Sequence, residues 1–182
     1  MEAIDAKMLS LKEQGAAARG YKGQLTKVVK RIEKAKEQLN VASFQEAQAC
    51  NDNLNRQLES YNKALDKVES CIADMSVTLE LGISLANDIG KEDTRQNYLE
   101  SLNKYSGYIT KSEEEIEGTS DNVEKLQKHA IEVLGTREEE KEKALEEKLE
   151  EKFRTNESFK KSVLDRSSVE PGRRGAVREE SK

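Results

Sequence analysis

The 182-residue chain has no tryptophan, one proline (Pro171), one histidine and two cysteines, and aromatic residues make up only 4% of it. Each scarcity excludes something. With 35% hydrophobic against 37% charged residues, there is too little apolar material to fill a thick multilayer domain, and the composition is that of extended helical proteins. Cys50 and Cys71, if they share a helix, are separated by roughly 31 Å at 1.5 Å per residue, which excludes a disulfide within the chain. No apolar run approaches the roughly 20 residues needed to cross a bilayer, and the N-terminus lacks the charged and apolar regions of a signal peptide. The expectation is a soluble, intracellular, cytoplasmic protein with no membrane partner and no small-molecule substrate.

Catalytic and metal chemistry have little to work with. His129 lies on the flank of an apolar helical stripe with no Ser or Cys nucleophile motif around it. Two cysteines and one histidine without C-x-x-C or H-x-x-x-H spacing do not make a structural zinc site. The glycines at 15, 20 and 23 lack the spacing and the preceding strand of a phosphate-cradling loop. Glu113, Glu114 and Glu115 are consecutive, point to different helix faces, and read as solvated charge. The expectation is no enzyme, no catalytic residue, no cofactor and no metal.

What the chain has in abundance is apolar residues at alternating steps of three and four. The expected seam core is Leu25, Val29 and Ile32; then Leu54, Leu58, Leu65, Val68, Ile72, Met75 and Leu79; then Leu102, Tyr105, Ile109, Ile116, Val123 and Leu126. A mean period of 3.5 keeps one face of a helix against a partner helix, which predicts long supercoiled helices. Helices are expected over 4–39, 44–89 and 94–153. A turn at Asn40–Ser43, a capping box formed by Ser43 and Glu46, a left-handed Gly90 and a Thr94 cap mark their ends. The seam stays in phase across Gly118, so the third helix should be continuous there.

The fold class is therefore all-α: a long antiparallel three-helix coiled-coil bundle over 1–136, a charged single-helix extension over 137–153, and a disordered basic tail over 154–182. Folding the seams about these turns places Gly15 opposite Val68 and puts Leu58 in both interfaces. Lys22, Lys36 and Asn51 place polar groups at core-facing positions, which predicts a marginal monomer. The broad face at Leu81, Ile83 and Leu85 is a candidate surface for pairing two bundles.

Charge is uneven. Residues 1–40 carry nine Lys and Arg against five Asp and Glu, residues 41–136 nine against eighteen, 137–152 five against eight, and 153–182 eight against five. Lys27, Lys30, Arg31 and Lys34 gather opposite the apolar arc of the first helix as a possible polyanion contact. No aromatic residues interleave these charges to stack on bases, which favours a solvated face over the polyanion contact.

The stretch RGYKGQLTKVVKRIEKA at 19–35, with Arg19, Lys22, Gly23, Leu25 and Thr26 as its motif, resembles the opening helix near the start of polyproteins of the BEL/Pao class of retrotransposons. QLESYNKALDKVESCIADM at 57–75 and YLESLNKYSGYITKSEEEIE at 98–117 resemble the two long arms of the helical hairpin that follows. The resemblance covers residues 19–117. It implies a Gag-like N-terminal module that self-assembles around element RNA, although no zinc knuckle, protease or polymerase is present in this sequence. The function expected is a noncatalytic helical self-assembly or scaffolding module, partnered by itself or another helical protein. The alternatives are a cellular coiled-coil adaptor that docks a partner helix, or an RNA-binding protein using the basic N-terminal helix.

Overall fold

The computed structural model describes residues 1–168, with side chains placed for 1–164. Helices α1 (Glu2–Val41), α2 (Ala47–Asn87) and α3 (Glu92–Ser168) account for nearly all of them, and no strand occurs among the described residues. No described helix is long and apolar enough to cross a membrane. The chain divides into two units, Met1–Gly135 and Thr136–Lys182.

Within the first unit the buried side chains of all three helices form one cluster. Its spacing is strict. Ile4, Leu11, Ala18, Leu25, Ile32 and Leu39 are buried along α1; Ala47, Leu54, Tyr61, Val68, Met75 and Gly82 along α2; and Leu102, Ile109, Ile116, Val123 and Ala130 along α3. Each series advances by seven residues, two helical turns, so one face of each helix is withdrawn from water over the span of its series. Of the expected seam, Val29, Ile72 and Leu79 are buried as well. Leu58, Leu65, Tyr105 and Leu126 are only partly buried against the cluster. Leu58 therefore does not hold the central place expected of it. Tyr61 does: it is 4% exposed, and its hydroxyl is 3.0 Å from Ser120 Oγ.

The helix ends differ from the sequence expectation. Helix α1 runs on to Val41 and stops at Ala42, which is extended and donates its N–H to Leu39 O. Ser43 does not cap α2. Its N–H and its hydroxyl both donate to the Glu46 carboxylate, so only the glutamate half of a capping box forms, and α2 begins at Ala47. The turn thus centres two to three residues later than expected, and the partner of every α1 position moves along α2. Gly15 faces the Met75 methyl, 3.6 Å from where its own Cβ would be, in place of Val68. Lys7 lies beside Gly82, and Gln14 Nε2 donates to Thr78 Oγ1 at 3.2 Å.

Gly90 does not take the left-handed conformation; α2 closes instead with Ile89 N–H on Ala86 O. Thr94 is not a cap, because α3 already begins at Glu92, whose carboxylate accepts from Arg95 and Gln96. The α2–α3 contacts include Gly82 against Leu102, and Tyr98 Oη of α3 donates to Asp5 of α1. Helix α3 passes through Gly118 without a break.

In the second unit α3 extends to Ser168, beyond the expected end at residue 153. The expected disordered tail is thus helical over 154–168. Nothing there breaks a helix, since the next proline and glycine are residues 171 and 172. Residues 169–182 of that expected tail lie outside the described residues. Arg137 forks onto both oxygens of Glu140, a charge pair at helical spacing of the kind that stabilises a helix with little core.

Candidate polyanion groove and a polar node at the edge of the core

On α1, the helical repeat turns Lys27 and Arg31 toward one flank of the buried face and Lys30 and Lys34 away from it. The four side chains are all exposed, and none makes an ion pair with another described residue. Lys27 and Arg31 line a groove between α1 and α2 of about 310 Å³, with Gln24 and Val28 on their own helix and Ser60, Lys63, Ala64 and Lys67 across from them. Lys30 and Lys34 do not line it. The structure therefore splits the expected basic stripe and joins half of it to Lys63 and Lys67, which sequence reasoning missed.

The missing signal was the pairing of the helices. Lys63 and Lys67 are one turn apart in a segment that is acidic overall, and only the α1–α2 alignment sets them beside Lys27 and Arg31. Among the described residues no carboxylate lines the groove. Four like charges around one small space repel one another, and a bound anion relieves that repulsion while releasing counterions. Val28 and Ala64 add apolar surface, and Gln24 and Ser60 add neutral hydrogen-bonding groups.

A second polar constellation lies at the edge of the core. Lys22, expected as a defect in the seam, donates to Ser112 Oγ at 3.1 Å and pairs with Glu115 Oε2 at 2.6 Å, with its ammonium 5.0 Å from the centre of the Tyr108 ring. Ser112 is fully buried, so this bond satisfies a hydroxyl cut off from water. Glu115 is thus not simply solvated: the hydrogen bond from Lys22, aided by the charges of Lys22 and Lys111, holds its carboxyl below the ordinary glutamate value despite some desolvation. Tyr108 lines a groove between α1 and α3 with Met8, Lys12, Arg19, Lys104 and Tyr105, and its own hydroxyl is buried with no hydrogen-bond partner among the described residues.

The thiol and imidazole are placed quietly. Cys71 Sγ donates to Gln14 O at 3.3 Å, and burial, with Asp74 nearby, pushes its pKa up. That favours the neutral thiol over the thiolate a nucleophile needs. His129 Nδ1 is 3.9 Å from Glu132, one turn along the same helix. Among the described residues no three His, Cys, Asp or Glu side chains gather as metal ligands. Comparison of the chain with models of protein families, with curated proteins and with solved structures found no match.

Proposed function

We propose that the chain is a noncatalytic helical self-assembly module: an antiparallel three-helix coiled coil that carries a helical segment for joining further copies. A Gag-like N-terminal region of a BEL/Pao-class retrotransposon polyprotein is the setting that the resemblance at 19–117 suggests. The seven-residue spacing of all three buried series supports the coiled coil. The contacts of Lys7 with Gly82, Gln14 with Thr78, and the groove pairing 24–31 with 60–67 support the antiparallel sense, because positions rise on α1 as they fall on α2.

One observation carries the assembly reading. Leu145, Leu149, Phe153, Phe159, Val163 and Leu164 are each between 49% and 71% exposed on α3. Isolated exposed apolar residues are ordinary, but several large ones at helical spacing within twenty residues form a surface that association would cover. Sedimentation of the full chain over a wide concentration range tests this reading. The mass should rise above 20.5 kDa as concentration increases. A constant monomer mass would refute it.

A second reading, binding of a polyanion such as RNA, is favoured by the groove in which Lys27, Arg31, Lys63 and Lys67 converge without a carboxylate. It is compatible with assembly, since multiple copies would multiply a weak electrostatic contact.

A further inference from the structure

The exposed stripe on the second unit has an order that reads the same in both directions. Leu145, Leu149, Lys152, Asn156, Phe159 and Val163 follow one another at steps of four, three, four, three and four. The first four line one shallow depression along the helix, so the positions share a face. That is a coiled-coil seam of nearly three heptads, and no described residue of the second unit buries it: its four apolar members remain 49% to 67% exposed.

Building on the assembly reading above, we propose that residues 145–163 of α3 pair antiparallel with the same residues of a second copy. A stripe symmetric about residue 154 can meet a reversed copy of itself in register. Leu145 then meets Val163 of the second copy, Leu149 meets its Phe159, and Lys152 meets its Asn156, where the ammonium can donate to the amide oxygen. Each contact occurs twice. Polar residues at a seam position weaken the pair but fix its alignment.

Charge selects both the partner and the sense. Residues 137–152 carry five Lys and Arg against eight Asp and Glu, whereas 153–164 carry three against one. A parallel pair sets acidic half on acidic half and Lys152 on Lys152 within the seam. An antiparallel pair sets the acidic half on the basic half. The positions just after Leu145 and Phe159 flank the seam on the same side, and in antiparallel pairs like flanks meet. Glu146 therefore faces Lys160 of the second copy, twice over, and Phe153 faces its own counterpart near the twofold axis. Phe153, 71% exposed, thereby gains an aromatic neighbour.

The test uses full-length chains with Glu146→Lys or Lys160→Glu, both at exposed helix positions, followed by sedimentation and, as a check on folding, far-UV circular dichroism. Either substitution alone turns two attractive pairs into two repulsive ones, and should weaken self-association about tenfold with helicity unchanged. Mixing the two variants restores both pairs, since one chain then carries lysine at both sites and the other glutamate at both. The mixture should associate like the unsubstituted chain. Variants that associate as the unsubstituted chain does, or a mixture that fails to recover, would overturn antiparallel pairing through this stripe while leaving assembly through another face standing. An unsubstituted chain that is monomeric at every concentration would overturn both.

Discussion

Replacing Leu102 by Ala probes the close contact between Gly82 of α2 and Leu102 of α3. Leu102 is completely buried, and the residue beside it is Gly82, which has no side chain to move into the space left behind. Buried leucine truncations cost about 2–5 kcal/mol, and a site that cannot collapse belongs toward the upper end of that range. Gly82→Ala has two opposed effects. The helix gains about 1 kcal/mol of propensity, but the new methyl would lie 3.1 Å from Leu102 Cδ2, and overpacking of this kind costs about 1–3 kcal/mol. Alone it should therefore be near neutral or mildly destabilising. In the Leu102→Ala background the crowding disappears, leaving the propensity gain plus burial of a methyl at about 0.8 kcal/mol. The double variant should recover about 2 kcal/mol relative to Leu102→Ala. Urea denaturation of the four proteins, followed by far-UV circular dichroism, gives the coupling directly. Additive effects, or a Leu102→Ala cost below about 1 kcal/mol, would refute the placement of Gly82 beneath Leu102.

The Lys22–Glu115 pair makes a pH prediction. Because the folded-state pKa of Glu115 is depressed, the stabilisation is present above the unfolded glutamate value and is lost as pH falls through the lower folded value. The unsubstituted chain should therefore be more stable than Glu115→Gln at neutral pH, and denaturation midpoints should converge as the pH is lowered beneath 4.5; a constant difference would contradict the pairing. For the groove, Lys63→Gln and Lys67→Gln should weaken binding of a single-stranded RNA as much as Lys27→Gln and Arg31→Gln do, and each should reduce the salt dependence of binding. Lys30→Gln and Lys34→Gln should do less. Absence of RNA binding at low salt would reduce the groove to a solvated cleft.

The number of helices and their approximate course through residue 153 were legible because apolar spacing survives any error in pairing. A slide of one heptad leaves apolar positions facing apolar positions, so placing the first turn a few residues early was enough to match Gly15 with Val68 instead of Met75. Leu58 and Tyr61 show a related limit: both fit the three-four pattern, and the structure buries the tyrosine because it lies seven residues from both Leu54 and Val68 on the buried face, where Ser120 partners its hydroxyl. Lys22 looked like a defect because its partners, Ser112 and Glu115, are on a helix ninety residues away in sequence. Lys63 and Lys67 were hidden from Lys27 and Arg31 in the same way, by a separation of 36 residues in each pair. The reach of α3 to Ser168 was missed for another reason, since loss of the apolar pattern removes a core without removing helix propensity.

The repeat of seven has a kinetic consequence. During folding, a pairing of α1 with α2 displaced by one heptad would bury nearly as many apolar groups as the native one, so the landscape holds a competing minimum close in energy to the true one. Few contacts can tell the two apart, and they are the ones that do not repeat: Gln14 on Thr78, and the Cys71 thiol on the Gln14 carbonyl. The third helix adds Lys22 on Ser112 and Tyr61 on Ser120; across a slipped pair α3 can make one of these bonds but not both, so a polar group is left unsatisfied while the slip persists. In this chain the polar interruptions of the seam therefore act as proofreading marks, rejecting a misaligned chain at the step when α3 docks.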